Sequence, residues 1–294
     1  MNDAAPSSAD TQSSGGGGRR LRAAVLGSPI VHSKSPALHR AAYRGLGLDR
    51  WSYDAIDVAE AGLAPFVAAL GPEWAGLSLT MPLKQAVIPL LDWLDPPAMA
   101  TSSVNTVVLP GAPTFDGTVR GYNTDVAGIV AAVAPHLPGG FAPASVAILG
   151  AGATARSAAA AAVDLGAESV LVMARRPAAA QEVAEVAEAL GSVATRALGT
   201  SDAAAVRAGV AGADVVISTL PASAAEFLTE LRLAGGAGVL LDVVYAPWPT
   251  RLAGAWDGPV VPGSEMLLLQ AAEQVRLMTG LDPDVDLMRR ALSE

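Results

Sequence analysis

The sequence predicts an α/β protein of two units, and three observations carry that expectation. Short β-rich runs alternate with helical segments along the chain. Pro135 and the stretch 137–141 interrupt this alternation near the middle. A glycine loop, Gly150 to Ala155, stands between a β-rich run and an alanine-rich helix. The length of 294 residues suits two domains, or one large one, at roughly 100–200 residues each.

The first unit opens with the apolar run Ala23–Leu26, which stops at Gly27. Ser35 before Pro36 reads as N-cap followed by the first helical residue. That helix runs through Leu38 and Tyr43 and stops near Gly45 or Gly47. Trp51–Ala55 is a second strand, and the stretch Gly62–Leu70 is helical. Leu77-Ser78-Leu79 alternates like a third strand, and Thr80-Met81-Pro82-Leu83-Lys84 leads into a helix through Leu91. Val104–Leu109 and Thr118–Tyr122 fit two strands around a Pro/Gly/Asp turn. A helix follows Asp125 on the spacing of Val126, Ile129, Val130 and Val133. The second unit begins with the strand Ser145–Leu149, the glycine loop and a helix ending at Gly166. Ser169–Met173, Ala178–Leu190, Asp214–Ser218 and Val239–Val244 continue it as strand, helix, strand and strand. After Gly263 an amphipathic helix runs from about Ser264 to Met278.

Composition narrows the function. Apolar residues make up 51% and charged residues 16%, which supplies a core and excludes disorder of the whole chain. A net charge of −9 opposes the broad positive face that coating nucleic acid requires. The absence of cysteine excludes disulfides, thiolate zinc sites and a cysteine nucleophile. His32, His39 and His136 are too few and scattered for a metal cluster, so no metal is expected. Residues 1–18 are Ser/Ala/Gly-rich and are expected to form a disordered tail. They lack the apolar stretch of a secretory signal. No run reaches the roughly 20 apolar residues of a membrane span. A soluble, cytoplasmic protein with no membrane or nucleic-acid partner is expected, as monomer or homodimer.

The loop Gly150-Ala151-Gly152-Ala153-Thr154-Ala155 points to dinucleotide binding. Gly150 permits the tight turn, Gly152 lets a pyrophosphate approach the backbone, and the small Ala155 lets helix pack on strand. The next strand ends in Ala174-Arg175-Arg176, with no acid for a ribose 2′-hydroxyl. Two guanidinium groups suit a 2′-phosphate instead, which favours NADP.

Three further segments carry chemistry. Ser33 and Ser35 place hydroxyls beside a helix N-terminus: a carboxylate pocket, or simply a turn residue and a cap. Of 19 basic residues only Lys34 and Lys84 are lysines. That scarcity fits a coding bias, yet Lys84 stands in a first helical turn. There the macrodipole opposes a cation and favours release of its proton, a position suited to general acid–base work. Asn123-Thr124-Asp125 is either a helix cap or the source of a carboxylate facing Lys84.

Taken in order, these strings resemble the shikimate dehydrogenases. The likeness rests on Gly27-Ser28-Pro29, His32-Ser33-x-Ser35-Pro36-x-x-His39, Ser78-Leu79-Thr80-Met81-Pro82-x-Lys84, Ser103-Val104-Asn105-Thr106 and Gly121-Tyr122-Asn123-Thr124-Asp125-x-x-Gly128. It continues with the glycine loop, with Asp242-Val243-Val244-Tyr245-x-Pro247-x-x-Thr250-x-Leu252, and with Gly263-x-x-Met266-Leu267-x-x-Gln270-Ala271. It covers about residues 21 to 283. The resemblance implies an N-terminal α/β substrate domain completed by C-terminal helices (19–124 with 264–294) and a Rossmann NADP-binding domain (125–263). It also implies reversible NADPH-dependent reduction of 3-dehydroshikimate to shikimate, on the way to chorismate and the aromatic amino acids. The roles implied are Lys84 and Asp125 as catalytic pair, and Ser33 and Ser35 on the substrate carboxylate. Thr80, Asn105 and Gln270 are implied around the substrate hydroxyls, Tyr245 near the substrate carboxylate, and Gly263 near the nicotinamide. Gly150, Ala151, Gly152, Ala153, Thr154 and Ala155 would take the pyrophosphate, and Arg175 with Arg176 the 2′-phosphate.

The chain departs from the family pattern at Arg40, at Ser218-Thr219-Leu220-Pro221, at Glu265 and at Ala174-Arg175-Arg176. A quinate or amino-shikimate dehydrogenase and a non-catalytic shikimate-binding regulator are the alternatives. Retention of both Lys84 and Asp125 opposes the regulator.

Overall fold

A computed structural model describes residues 19–221, 223 and 236–292. The tail expected over residues 1–18 lies outside the described residues. Strand β1 (Leu21–Gly27) sits between β2 (Trp51–Asp57) and β3 (Trp74–Leu79), parallel to both. Ala23, Ala24, Val25 and Leu26 are all buried, the continuous apolar run expected of a strand covered on both faces. The sheet continues antiparallel through β5 (Thr106–Val108) and β6 (Arg120–Tyr122). It ends on the two-residue edge strand β4 (Trp93–Leu94), giving the order β2-β1-β3-β5-β6-β4.

Helix α1 (Ser35–Gly45) lies on one face of this sheet, and α2 (Glu60–Ala68), α3 (Leu83–Ala86) and α4 (Pro96–Thr101) on the other. Two local expectations are corrected here. The N-cap of α1 is Lys34, so Ser35 is the first helical residue and Pro36 the second. Ser33, two residues back, supplies the oxygen that accepts from the Ser35 amide at 3.3 Å. The helix expected to run to Leu91 stops after four residues and becomes a 3₁₀ turn at Ile88–Leu90. Pro89 has no amide proton to continue the α ladder. Helix α4 escaped the sequence reading because it opens on two prolines. Asp95 caps it, accepting from the Ala98 amide at 2.7 Å.

Helix α5 (Thr124–Val133) carries the chain to the second sheet. There β7 (Ser145–Leu149), β8 (Ser169–Ala174), β9 (Ala194–Gly199), β10 (Val215–Ser218), β11 (Val239–Asp242) and β12 (Val260–Pro262) lie wholly parallel. Their order, β12-β11-β10-β7-β8-β9, is the doubly wound arrangement of a dinucleotide fold, with its switch point between β7 and β10. Helices α5, α6 (Ala153–Asp164) and α7 (Pro177–Leu190) cover one face. The buried row Ala158–Ala162 lets α6 settle close to the sheet. Helices α8 (Ala203–Ala211) and α9 (Arg251–Gly254), with Trp256, cover the other. Strands β9 and β12 were not foreseen: both are sheet edges, short or half exposed, without a sustained apolar run.

Helices α10 (Gly263–Thr279) and α11 (Val285–Leu292) return to the first sheet. Leu268, Val275, Met278 and Met288 pack there against Ala23, Leu38, Tyr43 and Tyr53. The expected fold, an N-terminal α/β unit completed by C-terminal helices plus a Rossmann-type unit, is thus the observed one. Gly128 of α5 meets α10 so closely that a Cβ would fall 2.8 Å from the Gln270 Cβ and 3.0 Å from its amide nitrogen. No described helix is long and apolar enough to cross a membrane.

Candidate active site

The strand ends of the two sheets face one another across a cavity of about 320 Å³. The first sheet contributes Ser33 and Ser35 at the start of α1, Ser78 and Thr80 at the end of β3, Lys84 of α3 and Asn105 before β5. Asp125 comes from α5, Thr154 from the glycine loop, Tyr245 from the segment after β11, and Gly263 and Gln270 from α10. Every residue expected around substrate or nicotinamide therefore lines one cavity.

Its polar centre is an ion pair between the Lys84 ammonium and Oδ2 of Asp125, both largely buried. Asn105 Nδ2 donates to the other carboxylate oxygen at 2.8 Å. The Asn105 carbonyl in turn accepts from the Thr124 amide at 2.9 Å and the Thr106 hydroxyl at 2.8 Å, which fixes its orientation. Asn123 caps α5, its oxygen accepting from the Asp125 amide at 3.2 Å. Its Nδ2 donates to Thr101 at 2.8 Å and to Ser157 at 3.0 Å, tying α5 to α4 and α6. Asn123-Thr124-Asp125 is thus both a cap and a carboxylate facing Lys84. The macrodipole argument for Lys84 does not survive, because four residues of α3 carry little aligned dipole. A paired carboxylate sets its surroundings instead.

Beneath the cavity runs a buried polar chain that the sequence reading missed. Tyr53 donates to Ser78 at 2.6 Å, Ser78 to Gln274 Oε1 at 2.8 Å, and His39 Nε2 lies 3.1 Å from the same oxygen. The His39 and Tyr53 rings stack with centroids 3.8 Å apart. Burial lowers the His39 pKa from 6.5 to about 3, against a smaller opposing effect of the bond to Gln274. The available signal was the spacing of Gln270 and Gln274, which puts two amides on one face of α10. On the opposite wall, Asp242 holds the segment bearing Tyr245. It accepts from the Thr250 hydroxyl at 2.6 Å and the Val244 amide at 3.2 Å. Burial raises its pKa, and those two bonds and Ser218 oppose the rise.

A second cavity, of about 440 Å³, is lined by Gly150, Ala151, Ala174, Arg175, Arg176, Ala179 and Leu220. Gly150 has φ of +118°, and a Cβ there would strike the Thr219 hydroxyl at 2.3 Å. At Gly152, the N-cap of α6, a Cβ would meet nothing within 4 Å, so open space fronts this helix start. Ala153 begins the helix, and Ala155 is wholly buried, so its small size serves helix–sheet packing. Arg175 and Arg176 are exposed at the end of β8. An open glycine turn, a helix N-terminus and two guanidinium groups fit the pyrophosphate and 2′-phosphate of NADP.

The family description "Shikimate dehydrogenase substrate binding domain" matches residues 25–107, and "Shikimate 5'-dehydrogenase C-terminal domain" matches residues 263–292. Between them, residues 126–231 match "Alanine dehydrogenase/PNT, C-terminal domain". The shikimate dehydrogenase (NADP(+)) of Methanothermobacter thermautotrophicus is 35% identical over 282 residues, 91% of this chain and 94% of that one. The chain belongs to the shikimate dehydrogenase family. Among solved members, the Mycobacterium tuberculosis shikimate dehydrogenase superposes with a TM-score of 0.82 at 39% identity, covering 93% of this chain and 98% of that one. The Thermus thermophilus shikimate 5-dehydrogenase in complex with NADP(H) and shikimate gives 0.75 at 32% identity, with the same coverage. A quinate dehydrogenase from Corynebacterium glutamicum in complex with NAD gives 0.78 at 29%, covering 94% and 99%.

Two of the departures from the family pattern, Arg40 and Glu265, have local partners. Arg40 donates to the Tyr53 carbonyl at 2.9 Å and to Asp54 at 3.1 Å. Glu265 takes two bonds from Arg289, at 2.7 and 3.3 Å, and so fastens α11 to the start of α10.

The lowered His39 pKa has a consequence for stability. Below pH 6.5 the unfolded chain binds a proton that the folded one refuses until about pH 3. Its contribution is complete above pH 6.5 and is lost as pH falls towards 3. Between pH 6 and 4 the wild type is expected to lose about 1 kcal/mol per pH unit more than His39→Gln, by urea denaturation. Parallel pH profiles would contradict the buried neutral imidazole.

Proposed function

We propose that this protein is an NADP-dependent shikimate dehydrogenase that reversibly reduces 3-dehydroshikimate to shikimate. The observation that carries this reading is the Lys84–Asp125 pair, set in one cavity with Ser33 and Ser35 and bordered by Thr154 of the glycine loop. In this reading residues 19–124 with 264–294 form the substrate domain, and residues 125–263 the nucleotide domain. The packing of α10 and α11 on the first sheet and of α5 on the second supports those boundaries.

When bound, NADPH supplies a hydride to the ketone carbon of 3-dehydroshikimate. Ser33 and Ser35, at the start of α1, hold the carboxylate of the substrate through their hydroxyls. That anchor points the far side of the ring towards Lys84. The Lys84 Nζ donates a proton to the ketone oxygen as the hydroxyl forms, and accepts it back when shikimate is oxidised. Asp125 holds the ammonium in place, and Asn105 holds Asp125. Thr80 and Gln270 face the ring hydroxyls, Tyr245 lies near the carboxylate, and Gly263 borders the nicotinamide. A Cβ at Gly263 would fall 2.1 Å from the Val243 carbonyl oxygen, so its own role is close packing of that wall. Arg175 and Arg176 grip the 2′-phosphate that distinguishes NADP from NAD.

The decisive assay follows absorbance at 340 nm with shikimate and with quinate, each against NADP and NAD. Turnover is expected with shikimate and NADP; turnover with quinate alone would replace this substrate assignment. Lys84→Ala is expected to lower kcat by roughly 10²-fold or more while shikimate still binds. Near-normal turnover would remove Lys84 from the chemistry. Arg175→Ala is expected to raise KM for NADPH far more than for NADH, and equal losses would place recognition of the 2′-phosphate elsewhere.

A further inference from the structure

The buried polar chain under the cavity fixes the sense of one hydrogen bond inside it. Gln274 Nε2 donates to the Asn105 backbone carbonyl at 3.4 Å, so the amide oxygen is the atom facing Ser78 and His39. An amide oxygen only accepts. Ser78 has a single hydroxyl proton, and Gln274 takes it. The Tyr53 hydroxyl, 2.6 Å from Ser78 Oγ, must then be the donor of that bond. Tyr53 keeps its proton because complete burial pushes its pKa well up. Ser78 Oγ is left with one lone pair and no proton to offer. Ser78 lines the cavity at the end of β3, and Thr80, just past the strand, lines it as well.

We propose that Ser78 is a specificity-determining residue, locked by Tyr53 and Gln274 as an acceptor, which takes a hydrogen bond from a ring hydroxyl of the substrate. It selects for a group that can donate and against one of equal size that cannot. This rests on the shikimate dehydrogenase reading, which puts two hydroxyls untouched by the reaction, at C4 and C5, inside the cavity.

The test uses the whole protein with shikimate and its 4-deoxy-4-fluoro and 5-deoxy-5-fluoro analogues. Fluorine approximates the hydroxyl in size and cannot donate. The readout is the ratio of kcat/KM for shikimate to that for each analogue. For one of the two analogues, Ser78→Ala is expected to lower that ratio by about tenfold. Tyr53→Phe, which frees Ser78 to turn its proton, is expected to lower the same ratio by about threefold. If Ser78→Ala does not fold, Ser78→Cys preserves the shape with a weak acceptor and carries the same comparison. A merely structural role would depress all substrates together and leave both ratios unchanged, which overturns the proposal. A wild type that turns over shikimate with unchanged ratios in the variants overturns the role of Ser78 alone. A wild type inert to shikimate overturns the functional reading and this proposal with it.

Discussion

The site depends on keeping one ion pair out of bulk water without leaving either charge uncompensated. Lys84 and Asp125 come from different parts of the fold, one from the short turn after β3 and one from the helix that crosses between the sheets. Removing one partner of such a buried pair typically costs about 3–5 kcal/mol, because the other is stranded. The structure commits several residues to avoiding that. Asn105 covers the second carboxylate oxygen, Thr106 and Thr124 orient Asn105, and Asn123 fixes where α5 begins. The cavity is therefore as much a product of backbone capping as of the residues that line it.

Much of this was legible before the structure. Strands β1, β7 and β8 announce themselves as apolar runs because each has neighbours on both sides. The glycine loop is legible because each small residue answers a local need: a left-handed turn, open space and close packing. Ser33, Ser35, Thr80, Lys84, Asn105, Asp125, Tyr245, Gly263 and Gln270 were placed by family resemblance, and all line one cavity. Edge strands and short helices were not legible. A two-residue strand such as β4 has no period to detect, and α4 begins on prolines that read as a loop.

The chain of Tyr53, Ser78, Gln274 and His39 was hidden for another reason. Its members come from four elements, and no local pattern says that a tyrosine in β2 will touch a serine in β3 or a glutamine in α10. His39 belonged to a matched string, yet its neutral, buried state follows only from the packing around it. Glu265 shows the same limit: it departs from the usual residue in its motif, and only the fold reveals Arg289 as its partner.

Gly128 has no side chain and does not line the cavity, yet it sets a dimension of the binding site. It allows the helix carrying Asp125 to rest against the helix carrying Gln270 with almost nothing between them. A bulkier residue there would act as a shim, spreading two walls of the pocket while leaving each wall chemically intact. Calibration of the site thus resides partly in a residue that no inventory of functional groups would include.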